Sequence, residues 1–149
     1  MEYEEQLDIR IVDTVFDPDV YGIEMNADNI VEKRPKVAFK RSGNSSLYKV
    51  WIFLDGSDLP RVDSITYHLH KTFVPPTRVV SRTPSNPTCR FVTWTWGIFQ
   101  IRAAIVDKAG RNYSLVHKLT YGDTLEKYRS SIEFTPTSLE SSDGAKLVA

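Results

Sequence analysis

Three histidines, one cysteine and two aromatic residues beside loop signals are the groups in this 149-residue chain whose types and spacing could do chemistry. His68 and His70 stand two apart, so on an extended backbone their imidazoles leave the same face. With His117 they could complete a three-imidazole zinc site. The bland reading of the same residues is imidazoles on a sheet surface, hydrogen-bonded to neighbouring hydroxyls. No His-Glu-X-X-His or Cys-X-X-Cys pattern occurs, and Cys89 is apart from the histidines, so no metal and no cofactor are expected. Cys89 precedes a strand-like run with no local sign of thiolate activation. No serine sits in a Gly-X-Ser-X-Gly elbow. Asp55, Asp58, Asp63 and Asp107 all fall in turns, where a carboxylate normally bonds nearby backbone. Neither glycine-rich phosphate fingerprint is present. Catalysis is therefore not expected, and no catalytic residue is assigned.

Phe73 and Trp96 are different. Phe73 precedes Val74-Pro75-Pro76, and Trp96 precedes a glycine that leaves backbone amides accessible. Two rings offered from loops can sandwich a flat group, stacking on an amide or a conjugated acyl group. The competing reading is a small core that caps the loops. Trp51, Phe53 and Phe91 lie within strand patterns instead, and core is their expected place.

The elements that must position these groups are strands. Residues 65–69 alternate Ile65, Tyr67 and Leu69 against Thr66, His68 and His70, so one face suits a core and the other carries the imidazoles. Residues 6–12 alternate in the same way. Residues 47–54 are almost continuously apolar, which predicts a central strand buried on both faces. Residues 90–94, 98–106 and 112–121 add further strands, and residues 108–111 form a hairpin turn with Gly110 at a position of positive φ. Residues 13–29 read as a long connection with room for a short helix. The basic cluster Lys33, Arg34, Lys36, Lys40 and Arg41 surrounds an expected solvated edge strand near residues 37–39. After Gly122 the composition shifts: residues 126–129 can form a helical turn, and residues 135–149, rich in serine and threonine, predict a tail that is largely disordered. Short strands, frequent turn signals and no convincing amphipathic helix predict an all-β, antiparallel β-sandwich. Its expected divisions are an N-terminal strand and long connection over 1–46, a sandwich core over 47–122 and a tail over 123–149.

Nineteen basic and nineteen acidic residues cancel, which argues against a polyanion-binding surface and so against nucleic acid as partner. A single cysteine fits a reducing compartment, no apolar stretch approaches the ~20 residues of a membrane span, and a cytoplasmic place is expected, or a nuclear one for a eukaryotic source.

Taken in order, Tyr67-His-Leu-His-Lys-Thr-Phe73 followed by Pro75, Pro76 and Arg78 resembles the YEATS domain signature. In that signature His-Leu-His precedes a Ser/Thr-Phe pair and a Pro-X-Arg-like loop. Trp96-Gly97-Ile-Phe99-Gln-Ile-Arg102 is similar to the family's Gly-Trp-Gly-X-Phe segment, with Thr95 where the family usually has glycine. The Ile-Arg sequence and the 107–111 hairpin look more like the prokaryotic branch. The resemblance covers residues 47–121, about half the chain.

That resemblance implies an immunoglobulin-like sandwich and a non-enzymatic module that reads acylated lysine, acetyl or crotonyl, on a peptide or protein partner. Carried over, it makes Phe73 and Trp96 two aromatic jaws around the acyl-amide. Thr72 would offer its hydroxyl to that amide, and His70 would orient Thr72. The backbone N–H groups of Trp96 and Gly97 would donate to the acyl carbonyl. An apolar slot suits a lysine that has lost its charge, because burying a free ammonium carries a large desolvation penalty. The alternative is an interaction or sensor domain of a prokaryotic signalling or defence system that has the fold but no open slot.

Overall fold

The computed structural model describes residues 7–22, 25–42, 45–70, 73–95, 97, 99–136 and 144–145. β1 (Arg10–Thr14) leads into a connection that holds two short helices, α1 (Pro18–Tyr21) and α2 (Ala27–Lys33). Their starts are written in the sequence, since Asp17 accepts from the Asp19 N–H and Asn26 from the Asn29 N–H. β2 (Lys36–Ser42) and β3 (Ser45–Asp55) follow, then a 3-10 turn over Leu59–Arg61 and β4 (Val62–His68). β5 (Phe73–Val74), β6 (Thr77–Ser81), β7 (Phe91–Thr95), β8 (Gln100–Asp107) and β9 (Asn112–Lys118) complete the middle of the chain. Beyond them come α3 (Tyr121–Lys127), β10 (Glu133–Pro136) and β11 (Gly144–Ala145).

Two sheets face each other across one core, which makes an immunoglobulin-like β-sandwich. In the first, β3 pairs antiparallel with β1, β2 and β7, and β10 joins the far side of β2 in parallel. In the second, the order is β6-β4-β8-β9, all antiparallel. The nearly unbroken apolar run of β3 is explained by its place in the middle. Val50, Ile52 and Leu54 enter the core between the sheets, while Trp51 and Phe53, on the other face of the strand, are buried as well. From the second sheet, Ile65 and Tyr67 on β4 and Ile101, Ala103 and Ile105 on β8 supply the opposing layer at the expected period of two. The Tyr67 and Phe91 rings meet at 4.7 Å between centroids, and the Tyr67 hydroxyl donates to the Cys89 carbonyl at 2.8 Å.

Local pattern misjudged two regions. β2 was expected as a solvated edge, yet it lies between β3 and β10, with Val37 fully buried and Lys40 only 4% exposed. The Lys40 ammonium sits 4.5 Å from the Trp94 ring centroid, where the negative face of the indole replaces part of its hydration. The reason is remote: β10 arrives from about a hundred residues later and covers the edge. Residues after 122, expected as a tail, thus contribute α3, β10 and β11, whereas 137–143 and 146–149 lie outside the described residues. Gly56 is required where it stands. Its φ is 147°, and a Cβ there would lie 2.0 Å from the Asp8 carbonyl oxygen, so the N-terminal segment packs directly on its backbone.

Candidate functional site

The loop that carries the first motif is a tight excursion from the β4–β6 hairpin. Where β4 ends, the Leu69 N–H donates to the Pro76 carbonyl at 2.7 Å and closes the base of the loop. Inside it, the Phe73 N–H donates to the His70 carbonyl at 3.0 Å, and Arg78 Nε holds the Pro75 carbonyl at 3.1 Å. The two prolines end regular pairing here because they bring no N–H to a ladder. The Phe73 side chain turns inward and is 1% exposed. Its ring packs on Phe99 at 4.9 Å between centroids, tilted by 52°, and Phe99 lies 6.4 Å from the His70 ring.

The second motif leaves the end of β7. Thr95 is buried, and its Oγ1 lies 3.4 Å from both the N–H and the carbonyl oxygen of Gly97, a weak side-chain turn. The Gly97 carbonyl is held more firmly, accepting from the Tyr121 hydroxyl at 2.6 Å. Burial pushes the Tyr121 phenol up to about 12, so it stays a neutral donor at physiological pH. Tyr121 is itself fixed by Asp13. The Asp13 carboxylate, fully buried, accepts from Thr120 N–H at 2.9 Å, Tyr121 N–H at 2.8 Å and Thr120 Oγ1 at 3.1 Å, and meets His117 Nε2 at 2.6 Å. A side chain from β1 therefore caps the start of α3, whose own Thr120 makes no cap bond. A cavity of about 380 Å³ opens on this side of Gly97, lined by Tyr48, Tyr121, Asp123, Glu126 and Arg129 among others. Phe73 is not among the residues that line it.

Of the five residues singled out in sequence, the structure places three. Phe73 and Gly97 come to one end of the sandwich, linked through Phe99, and His70 sits exposed beside the same ring. Thr72 and Trp96 lie outside the described residues. The three histidines do not converge. His68 is on the outer face of β4, opposite Arg102 of β8, while His117 turns to Asp13. Among the described residues no group of three or more His, Cys, Asp or Glu side chains could hold a metal ion. Cys89 is buried at φ 52°, and burial pushes its thiol up to about 11, the reverse of an activated nucleophile. Sequence reasoning missed Tyr121 and Asp13 as parts of this end of the fold. An aspartate in an alternating strand and a tyrosine just after another strand look ordinary until tertiary contacts join them.

Residues 48–120 match the family model of the prokaryotic YEATS domain. The chain carries a prokaryotic YEATS domain over those residues. No curated protein matches the chain. Among solved structures, it is similar to the Yaf9 YEATS domain recognizing an H3K122suc peptide, at 17% identity and TM-score 0.45 over 56% of this chain. It spans 62% of that chain's length. It is also similar to the yeast AF-9 homolog Yaf9, at 15% identity and TM-score 0.44 over 72% of this chain and 82% of that one. A third is the Yaf9 YEATS domain bound to H3K27ac, at 14% identity and TM-score 0.43, covering 78% of each. The YEATS match begins within β3 and ends just before α3, so β1, β2, β10 and β11 lie outside it. No helix among the described residues is long and apolar enough to cross a membrane.

Proposed function

We propose that this YEATS domain is a non-enzymatic binding module that holds an acylated lysine, or a comparable flat acyl group, between Phe73 and Trp96. The observation that supports it is the contact of the Phe73 ring with Phe99, which brings the loop of the first motif against the residue two positions after Gly97. Both motifs then serve one site. A ligand carbonyl can take the Gly97 N–H, because its present partner, Thr95 Oγ1, is distant at 3.4 Å. In this reading His70, exposed beside the Phe99 ring, orients the Thr72 hydroxyl.

Acetyl- and crotonyl-lysine peptides titrated against the protein, with tryptophan fluorescence as the readout, test this reading. Saturable quenching that is lost in Trp96→Ala is expected. The absence of a saturable response in the unmodified protein would sink it.

A second reading, an interaction or sensor domain with a closed slot, is favoured by one observation: Phe73 is 1% exposed, less than a ring awaiting a ligand needs. Under that reading neither peptide binds, and Trp96→Ala changes stability alone.

A further inference from the structure

β5 belongs to neither sheet of the sandwich. Its partner is β11, antiparallel, with Gly144 opposite Val74 and Ala145 opposite Phe73. β11 also packs against β7, the strand that runs into Thr95 and Gly97. Residues 144–145 are therefore laid between β5, which ends the first motif, and the strand that leads into the second, directly across from Phe73. Among the described strands β5 pairs with β11, an extended segment added along its edge, while the Phe73 N–H is held by the His70 carbonyl. The residues at the contact, glycine and alanine, are the two smallest.

We infer that the β5/β7 cleft is a strand-accepting groove for an extended peptide with small residues at its contact positions, and that residues 144–145 occupy it in cis. The groove names the partner class of the proposed site: a lysine read there is carried on an extended segment that pairs with β5. That assignment rests on the proposed acyl-lysine reading, whereas the strand pairing does not. Tethered near its site by the short stretch after β10, the segment reaches an effective concentration of the order of millimolar, so a peptide added in trans must displace it. A partner's apparent affinity falls by the fraction of time the segment is docked.

The test uses the full chain and an unacylated, fluorescein-labelled peptide of residues 140–149, with a scrambled peptide as control. In Gly144→Pro/Ala145→Pro, proline removes both backbone N–H groups of β11 and blocks docking in cis. The labelled peptide is expected to bind this variant at least about fivefold more tightly than the unmodified protein, by fluorescence anisotropy. Hydrogen exchange at Val74 is expected to speed up in the variant, while an unchanged melting temperature shows that the sandwich is intact. Equal affinity for the two proteins, binding to neither, binding of the scrambled peptide alike, or unchanged exchange at Val74 overturns the inference. Because the peptide carries no acyl group, failure of the acyl-lysine reading leaves this outcome unaffected.

Discussion

The Tyr121 hydroxyl donates to the Gly97 carbonyl at 2.6 Å, so a residue outside the YEATS match fixes the backbone of a residue inside it. The bond runs from the first turn of α3 to the loop after β7, and Asp13 holds the Tyr121 end through its backbone N–H.

Tyr121→Phe keeps the buried ring and removes one donor. Leaving the Gly97 carbonyl without its partner is expected to cost about 1–3 kcal/mol in thermal or urea unfolding. Acyl-peptide affinity is expected to fall beyond that, because the Gly97 amide loses its fixed direction. An unfolding midpoint that does not move would show that the bond contributes nothing net.

Phe73 calls for a conservative change. Its ring is buried against Phe99, so Phe73→Ala is expected to cost about 3–5 kcal/mol and would confuse a binding defect with misfolding. Phe73→Leu fills much of the volume at about 1.5 kcal/mol or less. It removes the aromatic face, and the expected outcome is a folded protein by circular dichroism with markedly weaker crotonyl-peptide binding. Undiminished binding in the leucine variant would take Phe73 out of the slot.

Cys89 is expected to resist thiol reagents. Burial raises its pKa to about 11 and its side chain is out of contact with solvent, so little thiolate forms near pH 8. Labelling with a chromogenic disulfide should be slow in the native protein and complete within minutes in denaturant. Fast native labelling would contradict the packing of the loop before β7.

Asp107 sets a pH dependence at the β8–β9 hairpin. Burial opposes its charge, but it accepts from the Arg111 N–H, the Tyr113 hydroxyl and the Ala109 N–H beside the Arg111 guanidinium, and the balance holds its pKa below the ordinary 3.8. A depressed folded-state pKa contributes stability that is complete above the unfolded value and lost as pH falls through the folded one. Melting temperature is therefore expected to drop on acidification below about pH 4, and less steeply in Asp107→Asn. Asp8 and Asp19, lowered by hydrogen bonds from Ser57 and Arg90, act in the same direction. Parallel profiles for the two proteins would remove Asp107 from that limb.

The sandwich was legible because its signals are local. The alternation of Ile65 and Tyr67, the unbroken run of β3 and the glycine at φ 83° in the 108–111 turn each settle one element within a few residues. The burial of β2 was not legible, since Lys40 reads as a surface charge until β10 and Trp94 enclose it. The site divides in the same way. Phe73 and Gly97 could be picked out from short motifs, but Tyr121 and Asp13 act through contacts across 24 and 108 positions, which no local period encodes. The inward turn of Phe73 was not legible either, because a ring beside two prolines gives no sign of which way it faces.

The grip of Asp13 also sets an order of events. Its partners lie 104 to 108 positions later in the chain, so this side-chain anchor of β1 cannot form during synthesis until β9 and the start of α3 have left the ribosome. Closing so large a loop is entropically costly and slow, and contacts of this range lower folding rates. The β1–β3, β3–β7 and β8–β9 pairings can form earlier, leaving the anchoring of Asp13 to come last. A nascent chain halted before residue 117 therefore holds β1 by its ladder with β3 alone, with the Asp13 carboxylate still waiting for the partners that anchor it.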